Sequence, residues 1–279
     1  MPKNAGNARM PAIVRPFILS IERPFPYARC RLDDLSPLQI GYACAVVVLS
    51  YAIRGSAGFG AVTMPLLALA VPMKVLVPVV TVLGVLSSCW ILAGDIRYVV
   101  WHELRRLLPS SLLGAAIGLY FFNVFDAATI AHSLGAFVLC YGTYTLYGSW
   151  RRQPPRHLPQ HLMRPLMGGT AGFAGTLFGS MAGIFYAIYL DLRKLPKAQF
   201  RATIAATLCV LGSVRGIGYY AVGAFNRDAM IACAVALPLM IVGALLGNRI
   251  HANLDQPLFR RFIAILLIAS GIPLLFTVS

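Results

Sequence analysis

Eight apolar runs, roughly 38 to 70, 75 to 94, 107 to 122, 127 to 149, 165 to 190, 198 to 222, 229 to 250 and 259 to 277, take up most of this chain, separated by short charged or proline-bearing breaks. A helix needs about 20 mostly apolar residues to span hydrocarbon. Backbone inside a bilayer must also satisfy its own hydrogen bonds, so runs of this length are expected to fold as membrane helices. A composition of 58% hydrophobic and 12% charged residues is too apolar for an ordinary soluble domain. The expected fold is all-α: a polytopic integral membrane protein of about eight transmembrane helices.

A net charge of +15 would suit nucleic acid if the cations shared one wet face. They sit instead between apolar runs, where basic loops orient helices and meet anionic lipid. The bilayer is therefore an expected partner and nucleic acid is not. Six cysteines, five of them inside apolar runs, show no metal-ligand spacing, and no disulfide framework is expected. The first 36 residues scatter prolines and charges through their apolar part and read as a cytoplasmic tail rather than a signal peptide.

If every run crosses once, the basic residues divide by face. The tail (Lys3, Arg9, Arg15, Arg23, Arg29, Arg31), the turn after the second run (Arg97, Arg105, Arg106), the stretch after the fourth (Arg151, Arg152, Arg156, Arg164) and Arg227 share one face. Lys74, Arg193, Lys194, Lys197, Arg201, Arg249, Arg260 and Arg261 share the other. The first set is larger, so the positive-inside rule places both termini in the cytoplasm and the segment "DLRKLPKAQFR" outside.

The chain also repeats. An offset of 129 residues aligns "PSSLLGAAIGLYFFNVFD" (109–126) with "PLMIVGALLGNRIHANLD" (238–255), and upstream an offset near 123 pairs Gly60 with Gly183 and Lys74 with Lys197. The organisation expected is a tail over 1–36, a first repeat over 37–149, a cytoplasmic linker over 150–164 and a second repeat over 165–279, with four helices in each repeat and the first broken. Four crossings per repeat would make the repeats parallel; a first segment that fails to cross would make them inverted. "GAAIG" and "GALLG" are both GxxxG and read as close helix crossings.

The first run is 33 residues long, about 50 Å as a helix against a hydrocarbon core of about 30 Å, and "SYAIRGSAGFGAV" (50–62) is where it should break. Arg54 lies there, well inside the run. An arginine in hydrocarbon costs on the order of 3 kcal/mol on insertion scales, so it is expected to face a cavity or the bundle interior. Gly55, Gly58 and Gly60 let the backbone unwind, and a half-helix starting near Ala61 would aim free N–H groups at the same place. Together these make an anion site; the alternative is an arginine that snorkels or caps while the glycines pack helices. In the second repeat "AGTLFGSMAG" (174–183) holds the matching place without an arginine.

Arg201 opens the sixth run with Thr203, and Arg215 lies about 21 Å further along the same helix, too far for one small ligand to touch both. Arg201 and Thr203 suit an outer vestibule or the site itself, and Arg215 is either a site residue or a cytoplasmic-edge anchor. Thr81, Ser87 and Ser88 are hydroxyls on the second run that either bind or merely bond back to their own helix. All nine acidic residues fall outside or at the ends of the runs, which removes any evident cation-binding or proton-relay carboxylate. An intramembrane enzyme would have to use Ser56 with His132, but no GxSxG elbow, orienting third group, paired carboxylates or HExxH motif is present.

"GSAGFGAVTMPLLAL" with Pro65 after the glycine turn, "FRAT" opening the sixth run and the duplicated halves together resemble the sulfite exporter TauE/SafE family over about residues 38 to 277. The resemblance implies a transporter of the bacterial inner membrane for small sulfur-containing or organic anions such as sulfite, sulfonates or sulfoacetate, often moved outward. No cofactor, metal or catalytic residue is implied, and the partner is a small anionic substrate. The anion site expected from both lines of reasoning comprises Arg54, Ser56, Gly58, Phe59 and Gly60 with Gly179, Ser180, Gly183, Arg201 and Thr203, alternately exposed to the two faces. Lys194 and Lys197 would draw anions to its mouth. An uptake permease or a channel is the alternative. Where related sequences carry a glycine- and proline-rich turn in the second half, this chain has "GSMAGIFYAIY" with Phe185, Tyr186 and Tyr189, bulk that would suit a larger or less polar substrate if it lines the site.

Overall fold

A computed structural model of the protein describes residues 37–57, 60, 62–151, 160–250 and 256–276, all of them in helices and turns. The helices are α1 (Pro37–Ala57), α2 (Thr63–Leu67), α3 (Met73–Asp95), α4 (Trp101–Val124) and α5 (Ala127–Arg151), then α6 (Gln160–Leu177), α7 (Ala182–Leu192), α8 (Lys197–Ala221), α9 (Arg227–Ile250) and α10 (Gln256–Phe276). A 3₁₀ turn, Ile96–Tyr98, joins α3 to α4. Among the described residues five segments are long and apolar enough to cross a membrane: Pro37–Gly55, Met73–Tyr98, Trp101–Val124, Lys197–Ala221 and Arg227–Gly247. Large apolar side chains such as Leu113, Ile217, Tyr220 and Met230 point outward. A bundle apolar inside and out is what a bilayer solvates.

In the first run α1 ends at Ala57 and α2 begins at Thr63, and in the run over 165–190 α6 ends at Leu177 and α7 begins at Ala182. Glycine is among the weakest helix formers, and Gly179 takes a φ of +75°, a left-handed conformation that costs it nothing. After each break the chain turns back. The Tyr42 hydroxyl near the start of α1 donates to the Leu66 carbonyl of α2 at 3.1 Å, so α2 returns along α1. Similarly, α6 runs alongside α4 in the same direction, while the Tyr186 and Tyr189 hydroxyls of α7 reach back to Ser111 and then Glu103 of α4.

Glycine seams fix the remaining directions. Gly114 and Gly118 of α4 face Gly169 and Phe173 of α6, and a Cβ on Gly114 would lie inside the Gly169 carbonyl. Gly243 and Gly247 of α9 face Val48 and Ala52 of α1 in the same manner. Both seams are parallel and hold the two GxxxG motifs, whose missing side chains let backbones touch. By contrast α3 and α8 run antiparallel: Asp95 meets Arg201, the Cys89 and Cys209 sulfurs lie 3.2 Å apart, and Gly212 faces Val85. Helices α5 and α10 are also antiparallel, with Gly135 against Leu274 and Gly142 against Ile268.

This arrangement corrects the sorting of loops by face. The turn after α3 and the segment before α8 lie at the same end of the bundle, where the Val100 N–H donates to Thr203 Oγ1 at 3.0 Å and Arg193 bonds Glu103 at 2.6 Å. Counting one crossing per apolar run fails because the first run of each half doubles back. At the opposite end the Lys74 ammonium donates to the Phe122 carbonyl. There Asp126 accepts the Thr129 N–H at 3.2 Å, and bonding to Thr129 holds its carboxyl below the usual carboxylate range.

The α3–α8 pairing predicts a cross-link. With a protease site placed in the 152–159 stretch, mild oxidation should leave the two fragments joined on a non-reducing gel, and Cys209→Ser should release them. Fragments that separate in the wild type would contradict the antiparallel register.

Candidate functional site

Arg54 sits on the last turn of α1, three residues after Tyr51 and on the same face. It is only 4% exposed. Its Nη2 donates to the Gly84 carbonyl at 3.0 Å and to Ser88 Oγ at 2.9 Å, both on α3. The guanidinium packs directly on Gly84, where an added Cβ would stand in ordinary contact with it, 3.6 Å from Nη2. Among the described residues no carboxylate pairs with Arg54. Its charge is thus met by dipoles alone, in surroundings where charge is poorly screened.

A cavity of about 250 Å³ reaches this guanidinium, lined by Tyr51, Arg54, Gly55, Ser87, Trp90, Ile91, Gly94, Asp95, Arg201 and Ala244. It extends from Arg54 to the bundle end, where Arg201 Nε stands 3.8 Å from Asp95 Oδ2. That volume is below the roughly 300–1,000 Å³ of sites for drug-sized ligands and suits a small ion with water. The Tyr51 hydroxyl and Arg54 Nε are both buried with no hydrogen-bond partner. Buried donors are normally satisfied, so two orphans in residues beside the cavity leave donor capacity that the protein itself does not use.

Deeper in, the two helix breaks meet. Ser180 Oγ donates to the Gly60 carbonyl at 2.8 Å. Gly179 packs against Met64, whose sulfur would be 3.1 Å from an added Cβ. The structure therefore gathers Arg54, Gly60, Gly179 and Ser180 at one level and sets Arg201 at the cavity's mouth. Gly183 is buried in the first turn of α7. Gly58 and Phe59 lie outside the described residues, as does the side chain of Ser56. Thr203 is not brought to the cavity, because its hydroxyl is occupied by the Val100 N–H. Nor does α2 offer the expected helix N-terminus, since five residues align too few peptide dipoles to matter.

The aromatic residues of α7 likewise leave the site. Tyr186 donates to Ser111 Oγ at 3.0 Å, Tyr189 to Glu103 Oε2 at 2.5 Å, and Phe185 packs on Phe137 of α5. These contacts tie α7 to its neighbours, so their bulk does not shape the cavity and the argument for a larger substrate falls. Glu103 is a further correction: although it opens α4, it is 3% exposed, gripped by Arg193 Nε and Nη2 at 3.0 and 2.6 Å. The expected anchor Arg215 is buried too, at 6% exposure, far from any edge role.

Sequence reasoning missed Tyr51, Trp90 and Asp95 as cavity residues. The spacing of Tyr51 from Arg54 was a usable signal, whereas Trp90 and Asp95 join the cavity only through the packing of α3 on α1 and α8. Of the three hydroxyl-bearing residues on α3, Thr81 bonds back to the Val77 carbonyl and Ser87 to that of Gly84, leaving Ser88 to meet Arg54. Among the described residues no cluster of His, Cys, Asp and Glu could hold a metal ion.

A family model described as Sulfite exporter TauE/SafE matches residues 43–274, a range that holds the whole cavity. A protein of Comamonas testosteroni, named "Probable inner membrane transporter protein TsaS", is 31% identical over 181 residues, which cover 64% of this chain and 74% of that relative. No solved structure matches the chain.

The Tyr189–Glu103 bond yields a stability test. Hydrogen bonds to charged groups contribute about 1.5–3 kcal/mol. Tyr189→Phe should therefore lower the melting temperature in detergent clearly, and Tyr120→Phe, at an outward-facing position, should not. Equal melting of both variants would show that Arg193 alone holds the carboxylate.

Proposed function

The chain belongs to the sulfite exporter TauE/SafE family of membrane transporters, and we propose that it moves small sulfur-containing or organic anions, such as sulfite or sulfonates, out across the bacterial inner membrane by alternating access. The observation that carries this reading is the guanidinium of Arg54, buried at the end of a cavity without a carboxylate among the described residues, with the Tyr51 hydroxyl buried and unpartnered one turn before it. An oxyanion entering the cavity supplies the missing countercharge and the missing acceptors. Arg201 at the mouth adds attraction without holding the ion, because Asp95 stands beside it. The inner-membrane location is supported by the printed description of the Comamonas testosteroni relative.

The proposed architecture is two related halves, 37–149 and 165–279, after a tail over 1–36 and joined by a linker over 150–164. In each half a hairpin (α1–α2, α6–α7) enters from one face and three helices cross, and the halves are inverted. Three pairings support this: α1 lies parallel to α9 as α6 does to α4, and the equivalents α3 and α8, like α5 and α10, are antiparallel. Sorted by the ends these pairings define, Arg97, Arg105, Arg106, Arg193, Lys194, Lys197 and Arg201 share the end where the cavity opens. Among the described residues, Lys74 and Arg227 lie at the other. The positive-inside rule then puts the cavity mouth in the cytoplasm and the start of α1 and the end of α10 on the opposite face, the reverse of the cytoplasmic termini expected. A mouth on the cytoplasmic side is the loading side for export, and Lys194 and Lys197 stand there to raise the local anion concentration.

Two outcomes are expected. In proteoliposomes, saturable flux of sulfite, sulfoacetate or an aromatic sulfonate should fall roughly 10- to 100-fold in kcat/KM on Arg54→Gln, the equivalent of losing one or two charge-assisted hydrogen bonds. Unaltered flux in a folded variant would reduce Arg54 to an anchor. In cells, a cysteine replacing Lys194 should react with a membrane-impermeant maleimide only in inside-out vesicles; labelling of intact spheroplasts would restore cytoplasmic termini.

A further inference from the structure

Arg215 is a second cation of the bundle interior, and the cavity does not reach it. Its Nη1 donates to the Gly179 carbonyl at 2.8 Å and its Nε to the Leu211 carbonyl at 3.3 Å. Among the described residues it has no carboxylate partner. A Cβ on Gly175 would collide with its guanidinium, so α6 keeps a place open for it.

The two placements correspond. In the first half α1 supplies the arginine and α3 the receiving glycine, Gly84. In the second half α8, the counterpart of α3, supplies the arginine, and α6, the counterpart of α1, with the break that follows it, supplies Gly175 and Gly179. The same helix pair is bridged in each half, from opposite partners. The guanidiniums also flank the contact between the breaks. Gly60, which accepts the Ser180 hydroxyl, packs on the Arg54 side chain at 3.6 Å from an added Cβ, and Gly179, next to Ser180, is held by Arg215.

We propose that Arg215 is a second anion-binding residue, taking the oxyanion from Arg54 once the Ser180–Gly60 contact parts and releasing it at the face opposite the cavity. This rests on the reading of the chain as an anion carrier. The ligand class is a small anion with at least two acceptor oxygens, which a guanidinium fork grips better than an ammonium does. The competing role is plain: Arg215 caps the carbonyl of a broken helix and nothing more.

Sided kinetics separate the two. Sulfite flux is measured in proteoliposomes of uniform orientation with the membrane potential clamped at zero, from each face in turn. Without a driving force Vmax/KM must be equal in both directions, so a defect at one binding step divides unevenly between the two parameters. Arg215→Gln should lower Vmax about tenfold from the cavity face with KM unchanged, and raise KM about tenfold from the other face with Vmax unchanged. Arg215→Lys, which keeps the charge, should show the same split at smaller size, and it carries the test if the glutamine variant does not fold. A fall in Vmax from both faces with both KM values intact would make Arg215 a cap and overturn the proposal. Unaltered flux would overturn it as well. If the wild type shows saturable, Arg54-dependent flux, such results sink the second site alone; if the wild type moves no sulfite, the carrier reading fails with it.

Discussion

A guanidinium in a bundle that offers it no carboxylate must be held by dipoles, and much of the described architecture follows from how that is done. Arg54 is reached by a glycine carbonyl and a serine hydroxyl from α3, and this requires α3 to pass close to the last turn of α1. Such closeness brings the Gly84 backbone against the guanidinium on one side and a terminated helix on the other. A continuous first helix would carry the chain past this level, and the returning segment that meets Ser180 would not exist. The charge, the glycine and the break are one solution to the electrostatic cost of an ion away from water.

Helix packing supplies the frame in which that solution is stable. Where lipid tails are as apolar as leucine, burying leucine gives helices little reason to associate, and close backbone contact takes over. The seams at Gly114 and Gly118 and at Gly243 and Gly247 provide it, placing α6 on α4 and α1 on α9 with the same polarity. Polar anchoring is added where the hairpin of the second half is clasped to α4, through Tyr186, Tyr189 and the Arg193–Glu103 pair. That clasp fixes the hairpin from outside, leaving its inner tip to face the first half.

Local chemistry was legible in the sequence to the extent that it is local. The two glycine-rich breaks, the GxxxG seams and the buried position of Arg54 follow from spacing and composition, since each depends on residues within a few turns. The topology did not follow, because the length of an apolar run does not say whether the chain crosses or doubles back. That single ambiguity sent Arg193 and Arg97 to different faces when they share one. Thr203 misled for a different reason: a threonine beside an arginine looks like a ligand pair until a backbone N–H from another segment claims its hydroxyl. Glu103 and Arg215 stood too near predicted helix ends to be read as buried; only the elements packed over them make them so.

The contact of the two breaks sets one polar joint in an apolar surround. The Ser180 hydroxyl sits on the Gly60 carbonyl, while Val62, Met64, Phe178 and Met181 of the same two breaks are buried in one apolar cluster. A neutral hydrogen bond contributes about 1 kcal/mol and a thioether side chain re-forms its contacts easily. In electrical terms the septum is a dielectric of apolar side chains with a single hydrogen-bonded seam, and a bare ion crossing it meets the full cost of leaving water.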